Sequence, residues 1–145
     1  MNPDWHKRVL ELKHQETDAE AREYVALVYQ ALWQVTPEVA KTLMATFIDE
    51  PDYGVQESVV SVLASAPPAI YQRALLEELP RLLKEAPEWA DVLVGREVEH
   101  RPLTLVSLAR EINPDIQEAL LQLLTKPSFA DFYPNAKEVA QALRG

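Results

Sequence analysis

The sequence predicts an all-α protein of antiparallel helix pairs stacked side by side, with about eight or nine helices and essentially no strand. Three observations carry that expectation. A short phrase recurs, because Pro51-Asp52-Tyr53 and Pro87-Glu88-Trp89 stand at equivalent places and each opens a stripe of valine and leucine. The spacing from position 51 to position 87 is the length of one supersecondary unit, and in a helical chain that unit is a helix pair. Apolar residues also recur at i, i+3, i+4 and i+7 in one segment after another, while no segment sustains period-two alternation. Finally, 11 prolines stand against 3 glycines, a balance that suits helix starts and leaves little material for tight hairpins.

Taken in order, residues 3–14 form a short first helix with Trp5, Val9 and Leu12 on one side. Thr17 or Asp18 caps a second helix to about residue 34, striped by Tyr24, Leu27, Val28, Ala31 and Leu32. Thr36-Pro37-Glu38 restarts the chain with a cap, a first-turn proline and an acid, and Ala40, Leu43, Met44 and Phe47 follow at helical spacing. From Pro51 the stripe is Val55, Val59, Val62, Leu63 and Ala66, with Gly54 expected inside the helix, at a cost that the close approach of another chain would explain. Pro67-Pro68 breaks the run, and 70–84 supplies a leucine-rich helix that Pro80 should kink or break. The next pair is 88–99 with 102–112. A helix from Asn113-Pro114 then carries Ile116, Ala119, Leu120, Leu123 and Leu124. A longer connection over 126–134 holds Phe129, Phe132 and Tyr133, which should pin it to the core. Ala136, Val139, Ala140 and Leu143 mark a last helix that would cap the stack. The whole reads as a single HEAT-like domain over 1–145, although a compact orthogonal bundle gives the same signals.

Composition narrows the function classes. Apolar residues make up 48% and charged residues 26%, an ordinary globular balance rather than a disordered one. The absence of cysteine excludes disulfides and thiolate metal sites and fits a reducing compartment. Residues 1–12 carry Asp4, His6, Lys7, Arg8 and Glu11 instead of the apolar core of a signal peptide, and no uncharged apolar run nears a membrane span. The expectation is a cytoplasmic protein with no membrane association.

Motifs for catalysis are missing. His6, His14 and His100 are far apart and in no metalloprotease spacing, and the sequence has no nucleophile elbow, P-loop or dinucleotide fingerprint. Acid pairs such as Glu77/Glu78 and Glu97/Glu99 are plentiful, but acids on helices usually form solvated faces. The chain therefore reads as a non-enzymatic protein with no cofactor and no metal. The aromatics Trp5, Tyr24, Tyr29, Trp33, Phe47, Tyr53, Tyr71 and Trp89 mostly fall on apolar stripes and read as packing. Of these Trp33, beside the Pro37 turn, is the one most readily placed on a surface.

The formal net charge is −9, which disfavours direct binding of nucleic acid and favours a basic partner. Position tells more than number. The links between successive pairs carry Glu16, Asp18 and Glu20; Asp49, Glu50 and Asp52; Glu85, Glu88 and Asp91; and Glu111 and Asp115. The links within pairs are sparse in acid and include His100, Arg101 and Lys126. One edge of the stack should be an acidic ridge, with Glu16, Asp18, Glu20, Asp49, Glu50, Asp52, Glu88 and Asp91 as its partner-binding candidates. Helix capping and solubility account for the same acids in the plainer reading.

Residues 48–125 also carry a resemblance. Ser58-Val59-Val60-Ser61-Val62-Leu63, then Leu75-Leu76-Glu77-Glu78-Leu79-Pro80 and Ala86-Pro87-Glu88-Trp89-Ala90, are similar to the immunity protein 30 family of bacterial polymorphic-toxin systems, including those of contact-dependent growth inhibition. That family continues into an Arg-Ile-Leu-Asn-like segment where this chain reads Arg96-Glu97-Val98-Glu99-His100, so the resemblance specifies neither subfamily nor partner. It implies a cytoplasmic binding protein that neutralises a cognate toxin domain, often a nuclease with a basic cleft that an acidic surface would occlude. The alternative is a HEAT-like scaffold or adaptor for another basic protein.

Overall fold

The computed structural model describes residues 1–50 and 54–145. The chain is all-α, with ten helices and no strand among the described residues: α1 Pro3–Leu12, α2 Asp18–Tyr29, α3 Pro37–Met44, α4 Val55–Leu63, α5 Pro68–Glu85, α6 Pro87–His100, α7 Pro102–Glu111, α8 Pro114–Leu124, α9 Pro127–Phe132 and α10 Ala136–Arg144. Seven of these begin on proline, where the missing N–H is one the first turn could not have used and the fixed φ is already helical. Side-chain caps complete several starts. Asn2 accepts from the Trp5 N–H at 2.9 Å, Thr36 from Val39 at 3.2 Å and Asn113 from Asp115 at 2.7 Å.

The chain divides into two compact units, Met1–Ala74 and Leu75–Gly145. In the first, α2 lies chiefly against α1 and α4 rather than against its sequence neighbour α3, while α1 and α4 both touch α3. Its core comprises Trp5, Val9, Leu12, Tyr24, Val28, Leu43, Met44, Phe47, Val59 and Leu63, all buried. Three polar clamps fix α1 in place. The Trp5 Nε1–H donates to the Leu27 carbonyl at 2.7 Å, His6 Nδ1 lies 2.6 Å from Thr42 Oγ1, and the Arg8 fork grips both oxygens of Glu23. That grip holds the Glu23 carboxyl below its usual range.

In the second unit α10 packs on α6, α7, α8 and α9. It is the helix around which that unit is arranged rather than a cover on the last pair. Its buried Ala136, Val139, Ala140 and Leu143 supply the contact face. The Glu99 carboxylate accepts the Asn135 N–H at 2.9 Å and ties the start of α10 to α6.

Four expectations are corrected. Gly54 is not inside a helix. It is the N-cap of α4 at φ 83°, with open space where a Cβ would sit, so it is present for its left-handed backbone and not for a close neighbour. The close approach falls at Gly95 instead, where a Cβ would meet the Tyr133 ring 2.1 Å away. Helix α5 passes through Pro80 unbroken: Pro80 is exposed, and buried Leu75, Leu76, Leu79 and Leu82 hold the turns on either side. The 126–134 connection contains the six-residue α9, too short to show a stripe in sequence, and of its aromatics Phe129 is buried whereas Phe132 is 74% exposed.

The Gly95–Tyr133 contact sets a test. Glycine to alanine within a helix ordinarily gains up to about 1 kcal/mol. Here Gly95→Ala should instead lower stability by about 1–3 kcal/mol through overpacking, read by urea unfolding. The double variant Gly95→Ala/Tyr133→Ala should recover part of that loss relative to Tyr133→Ala alone.

Candidate functional site

The first unit brings two of the acidic links together. His14, in the link before α2, lies with its Nδ1 3.1 Å from a carboxylate oxygen of Glu50, in the link before α4. At the far ends of the same two helices, the Trp33 N–H donates to Ser65 Oγ at 3.0 Å. Helices α2 and α4 pack on one another and are joined at both ends, so they run side by side in the same direction, with α3 returning the chain from one end to the other. Their N-termini therefore share one edge and their C-termini share the other. The 12 residues of α2 set these edges about 18 Å apart at 1.5 Å per residue.

The N-terminal edge is acidic. Glu16, Asp18, Asp49 and Glu50 are exposed there and Glu20 is half-buried. The dipoles of both helices favour negative charge at this end. Glu20 has a second occupation: its Oε1 accepts from the Glu16 N–H at 3.3 Å and from the Thr17 hydroxyl at 3.2 Å, while Thr17 Oγ1 accepts from the Glu20 N–H at 3.1 Å. This reciprocal arrangement caps α2, so the capping reading accounts for Glu20. Asp52 lies outside the described residues, as do Pro51 and Tyr53.

A residue that sequence reading passed over holds the second link in place. Gln56 is buried in the first turn of α4, where its Oε1 accepts the Ile48 N–H at 2.8 Å and its Nε2 donates to the Glu50 carbonyl at 3.5 Å. The only signal in the sequence is a polar side chain between Val55 and Val59, on a stripe otherwise apolar.

In the second unit Glu88 is exposed in the first turn of α6. Asp91 departs from the ridge expectation. Its Oδ1 lies 3.9 Å from Lys126 Nζ, a group assigned to the opposite edge. Tyr133 and Asn135 lie against α6, where Asp91, Gly95 and Glu99 follow at four-residue spacing along one face. Burial raises the pKa of the Tyr133 phenol, and the charges of Asp91 and Glu99 add to the shift. The acid-rich edge is thus a feature of the first unit.

The C-terminal edge of the first unit is of a different kind. Trp33 is 78% exposed and Tyr29 is 43% exposed. Segments 24–37 and 58–72, which meet at the Trp33–Ser65 hydrogen bond, contain no charged residue at all in a chain that is 26% charged. Trp5, Tyr24, Phe47 and Tyr71 are buried, as the packing reading expects, whereas the exposure of Tyr29 corrects that reading. Tyr71 therefore adds nothing to the surface near Trp33.

Among the described residues no group of three His, Asp or Glu side chains is placed to hold a metal ion. No helix among them is long and apolar enough to cross a membrane. In comparisons with known proteins, no family model, no curated protein and no solved structure matches this chain.

The two kinds of acid should separate by stability. Thr17→Ala, which removes the cap, should cost about 0.5–2 kcal/mol in denaturant unfolding. Asp49→Ala, at an exposed link position, should stay within about 0.5 kcal/mol of the parent.

Proposed function

We propose that this chain is an immunity protein that binds a cognate toxin domain and neutralises it without catalysis of its own. The toxin is a basic protein, a nuclease in the form we favour, whose substrate cleft is occluded by the acidic edge of the first unit. The observation that carries this reading is the junction at His14 and Glu50, which gathers the acids of two separate links onto one edge. Glu16, Asp18, Asp49 and Glu50 are exposed there, and residues 42–72 contain no lysine or arginine to offset Asp49 and Glu50. An edge of this kind resembles a short run of phosphates in charge, which is what a nuclease cleft is built to receive. Its field would raise the rate of encounter with a basic partner. The resemblance of residues 48–125 to the immunity protein 30 family supplies the biological setting, in which the toxin is encoded beside its inhibitor.

The reading predicts a complex between the purified chain and the neighbouring toxin domain, with loss of toxicity when both are expressed together. Reversal of Asp18, Asp49 and Glu50 to lysine should slow association roughly tenfold or more at low salt and flatten its dependence on ionic strength. Stopped-flow or surface-capture kinetics at several salt concentrations would measure this. Formation of no complex, together with unchanged toxicity, would sink the proposal. Unchanged rates in the triple variant would move the contact off the acidic edge. A complex with some other basic protein would favour the adaptor reading.

A further inference from the structure

Trp33 is, among the described residues, the only one other than glycine with a positive φ, at 64°. Left-handed backbone brings Cβ against the following carbonyl, a clash that glycine avoids and asparagine tolerates. Trp33 lies in the turn that Gln34 N–H closes onto the Ala31 carbonyl at 2.9 Å, and a positive φ in a turn is ordinarily given to one of those two. Here it holds the bulkiest of all side chains, and that side chain is 78% exposed, so no burial offsets the strain. A position that is strained in backbone and wasted in packing is not explained by stability.

The surroundings hold the residue in this state. Ser65 Oγ accepts the Trp33 N–H at 3.0 Å while donating its own proton to the Val62 carbonyl at 2.6 Å. The end of α4 thereby fixes the turn after α2. Buried Ala31 and Val35 flank the turn and anchor it on both sides. The ring is thus presented on a rigid mount, in a neighbourhood drawn from two segments without a charged residue. An exposed tryptophan on a backbone already fixed enters a complex with little main-chain entropy left to lose, which suits an interface anchor. Nothing charged lies in these segments to steer or repel, so the matching surface is an uncharged apolar pocket on a protein.

We propose that Trp33 is the apolar anchor of the complex, inserting into an uncharged pocket of the partner protein at the end of α2 opposite the acidic edge. This rests on the immunity reading for the partner's identity. The two contact regions then divide the labour: the acids govern encounter, and Trp33 governs residence.

The test begins with the free protein. Trp33→Gly should melt at a higher temperature than the parent, because glycine relieves the left-handed strain, and acrylamide should lose its most accessible tryptophan target. A lower melting temperature would make Trp33 a structural residue and overturn the proposal. Binding to the toxin domain is then measured for the parent, Trp33→Gly, Trp33→Ala and Trp33→Phe. The glycine and alanine variants should lose at least about thirtyfold in affinity, nearly all of it in dissociation rate and equally at low and high salt. The phenylalanine variant should keep most of the affinity. If the parent binds and all three variants bind as tightly, this inference fails while the immunity reading stands. If the parent does not bind, both fail. Sedimentation showing self-association lost in Trp33→Ala would assign the residue to a second copy of the chain. A blue-shifted emission on phosphatidylcholine vesicles would assign it to lipid. Either result would overturn the proposal.

Discussion

The side-by-side contact of α2 and α4 decides what the first unit presents to its surroundings. Two helices that run in the same direction place both positive dipole ends on one edge and both negative ends on the other. Acids are favoured at the first edge for reasons of helix chemistry alone, and Asp18, Glu20 and Glu57 occupy those first turns. The second edge receives the carbonyl ends, where basic side chains would be favoured, yet neither α2 nor α4 has one in its last turn. The second edge is therefore more neutral than the dipole would have it. Had α2 paired mainly with α3 in antiparallel fashion, each edge would have carried one helix start and one helix end.

Most of the helical architecture was legible because its signals are local. A proline at the first helical position, a Ser/Thr/Asn cap and a 3.6-residue stripe each act within a few residues of one another. The stripe of α4, Val55, Val59, Val62, Leu63 and Ala66, is buried throughout. What the sequence hid was non-local. Nothing near Gly95 announces Tyr133, 38 residues on, as the ring that lies against it. The role of α10 was hidden for the same reason: its stripe shows one apolar face and cannot say how many helices share it. Gly54 was misread because an N-cap in left-handed geometry and an interior helical glycine look alike when the flanking apolar spacing is continuous.

The candidate site was legible in composition and only partly in arrangement. Acids at 16–20 and 49–50 could be assigned to one edge, and the His14–Glu50 contact joins those two links. The same logic failed for Asp91, whose carboxylate lies 3.9 Å from Lys126, a residue of the other set of links. An edge assignment assumes that each link stays at its own edge, and the segment that lays Tyr133 and Asn135 on α6 breaks that assumption. Trp33 read as a surface residue from its place beside a proline turn, but its backbone strain has no sequence signature. Only φ shows that the residue costs the fold something.

That cost bears on how the two edges are to be weighed. Exposed acids in an acidic protein have several sufficient causes, among them solubility, capping and dipole compensation, so their presence argues weakly for any one role. A tryptophan in left-handed backbone has none of these. Glycine at the same position would fold as well or better, by about 1–2 kcal/mol on steric grounds alone. The Ser65 hydrogen bond is made by the backbone N–H and would survive the exchange. The fold thus gives up stability at position 33 without recovering it anywhere in the chain's own contacts. A compensating contact with something outside the chain is the physical account that remains, and it makes the neutral edge the more informative of the two.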